Sequence, residues 1–176
     1  MIFAALLLAG CTSNQPAAPA NESGNNSSSG VNMSKNSIVV FETTKGTFKA
    51  EIFEKEAPIT AKNFLGLVRS GFYNNLTFHR YEPDFVVQGG DPKGDGTGGS
   101  DKTIPLEIVP GLSHEAGALG MARTNDPNSA TSQFYFVIGN AKFLDGQYAV
   151  FGKVTEGMDV AKQLRKGDMM TKVYVQ

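Results

Sequence analysis

The chain of 176 residues, 40% hydrophobic and 19% charged, has the length and composition of one soluble globular domain with a single core. Its 16 basic and 17 acidic side chains give a formal net charge of -1, which removes the electrostatic drive towards phosphate backbones and excludes nucleic acid as an expected partner. A single cysteine rules out an internal disulfide, and two histidines supply no grouped metal ligands, so neither metal nor cofactor is expected.

The chain opens on a short apolar run, residues 2–9, followed by Gly10 and Cys11. The segment Leu8-Ala9-Gly10-Cys11 resembles the lipobox of a prokaryotic lipoprotein signal peptide, in which small residues fit the peptidase cleft and the cysteine thiol accepts lipid. A transmembrane helix takes about 20 apolar residues, far more than stand here. Residues 1–10 are therefore expected to be a signal peptide and Cys11 a lipidation site, anchoring the protein to the cell membrane or envelope on its periplasmic or outer side. No Lys or Arg precedes the apolar run, and a leader truncated at its start is expected. Residues 11–36 are then a tether, because Asn, Ser, Gly, Ala and Pro dominate and cannot bury enough surface to offset the entropy of ordering. Asn21, Asn25, Asn26 and Asn32 open sequons within it and Asn75 opens another further on; whether any carries a glycan is left open.

The composition changes after Ser37, so the folded domain is expected over residues 37–176. Two β-branched and aromatic runs about Lys45-Gly46 predict a hairpin. Pro58 then opens a helix whose Ala61, Phe64, Leu65 and Val68 share one face at the i, i+3, i+4, i+7 spacing, with Gly71 as its stop. Strands are predicted at 76–81, 85–88, 118–122, 133–138 and 150–154. A second helix is expected from Met158 to Arg165, ending near Gly167, and a last strand at 172–175. Many short strands predict a barrel or sandwich.

Five segments stand in register along this domain: FHRYEPDFVVQGGD at 78–91, GTGG at 96–99, GMA at 120–122, SQFYF at 132–136 and FLDGQYAVFGKV at 143–154. Together they resemble the cyclophilins, over essentially all of residues 37–176. The resemblance implies a mainly β fold, a closed eight-stranded antiparallel barrel capped by two helices, and peptidyl-prolyl cis-trans isomerase activity on proline-containing polypeptides by a monomer. It implies that Arg80, Phe85 and Gln88 are catalytic. Arg80 would donate to the prolyl nitrogen, and Gln88 would hold the substrate carbonyl or orient Arg80. Phe85, Met121, Phe134 and Leu144 would form the proline pocket, Tyr135, Phe143 and Tyr148 its rim, and Ala122, Arg123 and Gln133 further substrate contacts. Phe143 stands where many eukaryotic members carry tryptophan, which implies weak cyclosporin binding.

The chemistry suits those residue types. Rotation about an X-Pro bond has a barrier near 18–20 kcal/mol because amide resonance is lost, yet no covalent bond is made or broken. A catalyst needs a donor to the pyramidalising nitrogen and a pocket for the ring, and a permanently charged guanidinium donates without spending a proton. Turnover of about 10–10³ per second requires the barrier to fall by roughly 4–7 kcal/mol. One charge-assisted hydrogen bond contributes only about 1.5–3 kcal/mol, so Arg80 must act with the rest of a groove.

Other readings are weaker. A proline-binding adaptor without turnover would lack Arg80, Phe85 or Gln88, and a solute-capturing lipoprotein needs a longer, two-lobed chain. His79 and His114 are assigned packing roles, His114 in a loop or at a strand edge. Gly94 to Gly99 fit GxGxxG, but no helical periodicity follows, so a surface loop is expected. Asp91, Asp95 and Asp101 lack calcium-loop spacing, since Lys93 stands where a ligand is needed.

Overall fold

The structure, a computed structural model, describes residues 36–176. The leader, Cys11, the tether and the sequons at Asn21, Asn25, Asn26 and Asn32 lie outside the described residues.

Strands β1 (Ile38–Thr43) and β2 (Gly46–Ile52) form the expected hairpin, with Thr43 opposite Gly46. The Thr43 hydroxyl closes the turn, donating to the Gly46 carbonyl at 2.7 Å and accepting from the Lys45 amide at 3.1 Å. Along β2, Phe48, Ala50 and Ile52 are buried and the residues between them are not, the period-2 signature of a sheet covered on one face.

Helix α1 (Pro58–Arg69) buries Thr60, Ala61, Phe64, Leu65 and Val68. Pro58 starts it without loss, because the first helical amide has no intrahelical partner. Ala57 offers no capping side chain, and the carboxylate of Glu107 takes that role, accepting from the Ile59 and Thr60 amides at 3.1 and 2.8 Å. The helix ends at Gly71, whose φ of 73° lets its amide reach the Val68 carbonyl and that of Phe72 reach Leu67, a Schellman termination.

The remaining strands are β3 (Leu76–Thr77), β4 (Arg80–Glu82), β5 (Val86–Gly89), β6 (Ala118–Met121), β7 (Phe134–Val137), β8 (Val150–Glu156) and β9 (Met169–Val175). They make one nine-stranded sheet in the order β3-β9-β1-β2-β8-β6-β7-β5-β4, antiparallel throughout the described pairings. The mainly β, two-helix fold is thus as expected, but closure by eight continuous strands is not how it is achieved. The single strand expected at 76–81 is broken: β3 pairs with β9 at one edge of the sheet and β4 with β5 at the other. Phe78 and His79 join the two edges. Phe78 exchanges backbone hydrogen bonds with Asp168 and Gly167, while the His79 amide donates to Gln88.

Helix α2 (Met158–Gln163) stops before the expected Arg165. Leu164 turns to an extended conformation and is fully buried, and the Arg165 amide and guanidinium are spent on Asp168, Lys162 and Leu164.

Two apolar clusters line the two faces of the central strands. Inside, Phe41 stacks on Phe48 at 4.8 Å and meets Phe136 edge-on, and Phe134 meets Phe64 and Tyr73 edge-on. Outside, Val86, Ala118, Tyr135, Val137, Ala141 and Val150 form a smaller cluster, with Phe85, Ala122, Leu144 and Tyr148 packed on it. Alternation along β6 and β7 sends Leu119, Met121, Phe134 and Phe136 inward, and Tyr135 and Val137 outward. Met121 and Phe134 are therefore core residues, 2% and 0% exposed, and do not line the groove as the motif resemblance implied.

Candidate active site

A groove of about 260 Å³ lies on the outer face, lined by Arg80, Phe85, Val86, Gln88, Ala122, Arg123, Tyr135, Leu144 and Tyr148. Its polar side is built by register. Arg80 on β4 stands opposite Gln88 on β5, and Gln88 opposite Tyr135 on β7.

A chain of side-chain amides fixes the arginine. Gln133 donates through Nε2 to the carbonyls of Gly96 and Gly98 at 3.0 and 2.7 Å. That leaves its Oε1 to accept from Gln88 Nε2 at 2.9 Å, and turns Gln88 Oε1 towards Arg80 Nη1 at 3.4 Å. Each amide has one orientation that satisfies both neighbours. Glu82 holds the other side of the guanidinium, its Oε1 lying 3.4 Å from Nε. Both partners of that pair are nearly half exposed, so it orients Arg80 more than it stabilises the fold. The guanidinium carbon lies 5.8 Å from the centre of the Phe85 ring.

The apolar side is Phe85, Val86, Leu144 and the buried ring of Tyr135. Phe143, 65% exposed, stacks on Phe85 at 5.2 Å and extends the wall outward. Val86 was missed by the sequence reading and Tyr135 is floor rather than rim. Both follow from strand parity once one outward residue is known. The floor needs Gly120: it pairs with Tyr135 across β6 and β7, and a Cβ there would strike the Tyr135 ring and hydroxyl.

Arg123 contributes its side chain to the groove. It stacks on Tyr148 at 4.5 Å and donates to the Gln147 carbonyl at 2.9 Å and the Thr124 carbonyl at 2.8 Å, bridging the two walls.

Beneath the floor, the Tyr135 hydroxyl lies 2.9 Å from His114 Nε2, and His114 Nδ1 lies 2.7 Å from Asp145 Oδ1. The Ser113 hydroxyl and then the His114 amide donate to Asp145 and hold its carboxyl down at about 2, while burial pushes the Tyr135 phenol far up. His114 lies in the loop before β6, as expected, but is fully buried there, which no local sequence pattern announces. His79 is also buried, which lowers its pKa, and packs next to β4 as expected.

Residues 94–99 form a loop, as read. Asp91 organises it by accepting from the amides of Lys93, Asp95 and Gly96, which occupy the oxygens that a cation would need. Burial would raise the Asp91 pKa, but the amides of Lys93, Gly96 and Gly98 outweigh it and the net shift is downward.

A curled antiparallel sheet with an arginine and a glutamine facing an apolar wall in a groove on its outer face defines a class of β protein able to hold an apolar residue beside a fixed cation, and comparison with known proteins narrows it. The family profile described as cyclophilin type peptidyl-prolyl cis-trans isomerase matches residues 38–175. The peptidyl-prolyl cis-trans isomerase-like 1 protein of Aspergillus fumigatus is 44% identical over 130 residues, covering 72% of this chain and 80% of its own. The crystal structure of a cyclophilin type peptidyl-prolyl cis-trans isomerase of Cryptosporidium parvum superposes with a TM-score of 0.75 at 30% identity, covering 80% of this chain and 98% of its own. The same Cryptosporidium protein in the presence of the dipeptide Ala-Pro gives 0.74 at 31%, with 79% and 98% covered. The chain belongs to the cyclophilin-type peptidyl-prolyl cis-trans isomerase family.

Proposed function

We propose that the protein isomerises X-Pro bonds of exported polypeptides by binding the proline ring in the groove beside Arg80, which hydrogen-bonds the prolyl nitrogen as it pyramidalises. The observation that carries this reading is the amide chain from Gly96 and Gly98 through Gln133 and Gln88, which presents Arg80 on the polar side of a groove whose opposite side is apolar. As the C–N bond twists, the nitrogen lone pair localises and becomes an acceptor, while the planar ground-state amide nitrogen accepts poorly. A donor fixed beforehand thus favours the transition state over the ground state. Phe85, Val86, Leu144 and Tyr135 supply apolar burial of the ring, and Ala122, Arg123 and Gln133 line the path of the flanking chain. A volume of about 260 Å³ falls below the usual range of small-molecule pockets, about 300–1,000 Å³, and suits one residue of an extended chain better than a captured solute. The Ala-Pro dipeptide accompanying the Cryptosporidium relative supports the same ligand class.

The enzyme acts as a monomer, binds cyclosporin weakly because Phe143 offers no indole N–H, and is held at the membrane by lipid on Cys11. The anchor rests on the apolar run ending Leu8-Ala9-Gly10-Cys11. Labelled palmitate should enter the intact chain and not its Cys11→Ser variant; equal labelling would remove the anchor.

A protease-coupled isomerisation assay tests the chemistry. Arg80→Ala should lower kcat/KM roughly 10- to 100-fold, the worth of one charge-assisted hydrogen bond. Arg80→Lys should recover little, because a single ammonium cannot reproduce the planar fork. Equal rates for the native protein and Arg80→Ala would sink this mechanism.

A further inference from the structure

The hydroxyl of Tyr135 is a liability in a groove meant for a proline ring. A buried phenolic O–H without a partner is costly, and a free hydroxyl beside Arg80 would offer that arginine an acceptor other than substrate. The molecule resolves this on the far side of the ring. Asp145 is held as a carboxylate and is an acceptor only. It receives the Ser113 hydroxyl at 2.6 Å, the His114 amide at 2.8 Å and the ring nitrogen Nδ1 at 2.7 Å. The hydrogen of a neutral His114 therefore sits on Nδ1, and Nε2 carries the lone pair. With Nε2 at 2.9 Å, the Tyr135 O–H has one role left, which is to donate into the imidazole and away from the groove. Asp145 belongs to the short segment that carries Phe143, Leu144 and Tyr148, and that segment stays anchored through the Ser113 hydroxyl and the His114 main-chain amide whatever side chain stands at 114.

We propose that His114 is a positioning residue of the isomerase site: clamped by Asp145, it draws the Tyr135 hydroxyl out of the proline groove and keeps the groove floor apolar. The inference rests on the groove being where proline binds. Its effect is on substrate fit, so loss of His114 raises KM more than it lowers kcat. That effect should vanish once Tyr135 has no hydroxyl to place.

Two measurements test it. Long-range proton–nitrogen correlation spectra of the native ¹⁵N-labelled protein at neutral pH should show His114 as the neutral Nδ1–H tautomer. An Nε2–H tautomer or an imidazolium overturns the proposal without any variant having to fold. In the coupled assay, His114→Leu should lower kcat/KM by about 10-fold in the native background, and by less than about 2-fold when added to Tyr135→Phe. A loss of equal size in both backgrounds, or no loss in either, overturns it. Equal turnover by the native protein and Arg80→Ala is a separate result: it removes the groove reading itself.

Discussion

Gly120→Ala tests the groove floor with the smallest possible change. Gly120 faces Tyr135 directly across β6 and β7, and an added methyl meets the ring and hydroxyl rather than open space. The ring cannot retreat inward, because its strand neighbours Phe134 and Phe136 fill the core. It must swing towards the groove and give up the contact with His114. Overpacking of this kind costs about 1–3 kcal/mol. Loss of a buried phenol hydrogen bond costs about 1–3 kcal/mol more. Replacing glycine returns about 0.4–1 kcal/mol through the unfolded chain. The net is near 3 kcal/mol, a fall in Tm of roughly 10 °C for a domain of this size. Urea denaturation followed by tyrosine fluorescence should give the stability change, and the coupled assay a raised KM from the narrowed groove. A folded Gly120→Ala protein of native stability and KM would refute the account of the floor.

Three further outcomes are expected. Glu107→Ala leaves the first amides of α1 without their acceptor and should cost about 0.5–2 kcal/mol in urea titrations, with activity retained because the helix lies away from the groove. Asp145, held near 2 against an unfolded value of about 3.9, contributes stability that is complete above the unfolded value and is lost as pH falls through the folded one. Melting temperatures taken from pH 5 to pH 2 should therefore fall less steeply for Asp145→Asn than for the native protein; parallel curves would contradict this. Phe143→Trp adds an exposed indole N–H at the rim and should tighten cyclosporin several-fold by titration calorimetry, the worth of about one hydrogen bond; unchanged affinity would show that this position does not govern drug binding.

The parts of the molecule legible in the sequence are those whose pattern has a period. Helix α1 declared its buried face, and β2 alternates cleanly, so their positions followed from spacing alone. Strand β7 is different: all four of its residues are buried, because both sides of the sheet are covered there. Without alternation, nothing in Phe-Tyr-Phe-Val says which residues face outward, and Phe134 was assigned to the groove in place of a floor at Tyr135. Val86 was lost for the same reason, in a strand reading Val-Val-Gln-Gly. Arg80, Phe85 and Gln88 were legible because their motif is contiguous. His114 was not, because its partners stand 21 and 31 residues away, and such contacts exist only after the sheet has curled.

The break at Phe78-His79 bears on a hazard peculiar to this kind of protein. An open sheet ends in rows of unpaired amides and carbonyls on which any extended chain can add itself as a further strand. Here the terminal strands are only two and three residues long and run on from one another, and the three-residue one carries Arg80 and Glu82. If the protein receives extended segments as proposed, it offers them almost no backbone edge to zip onto. On that reading such segments meet side chains in a groove rather than a row of free amides and carbonyls, and strand addition, the route by which a bound chain would seed aggregation, has little edge to start from.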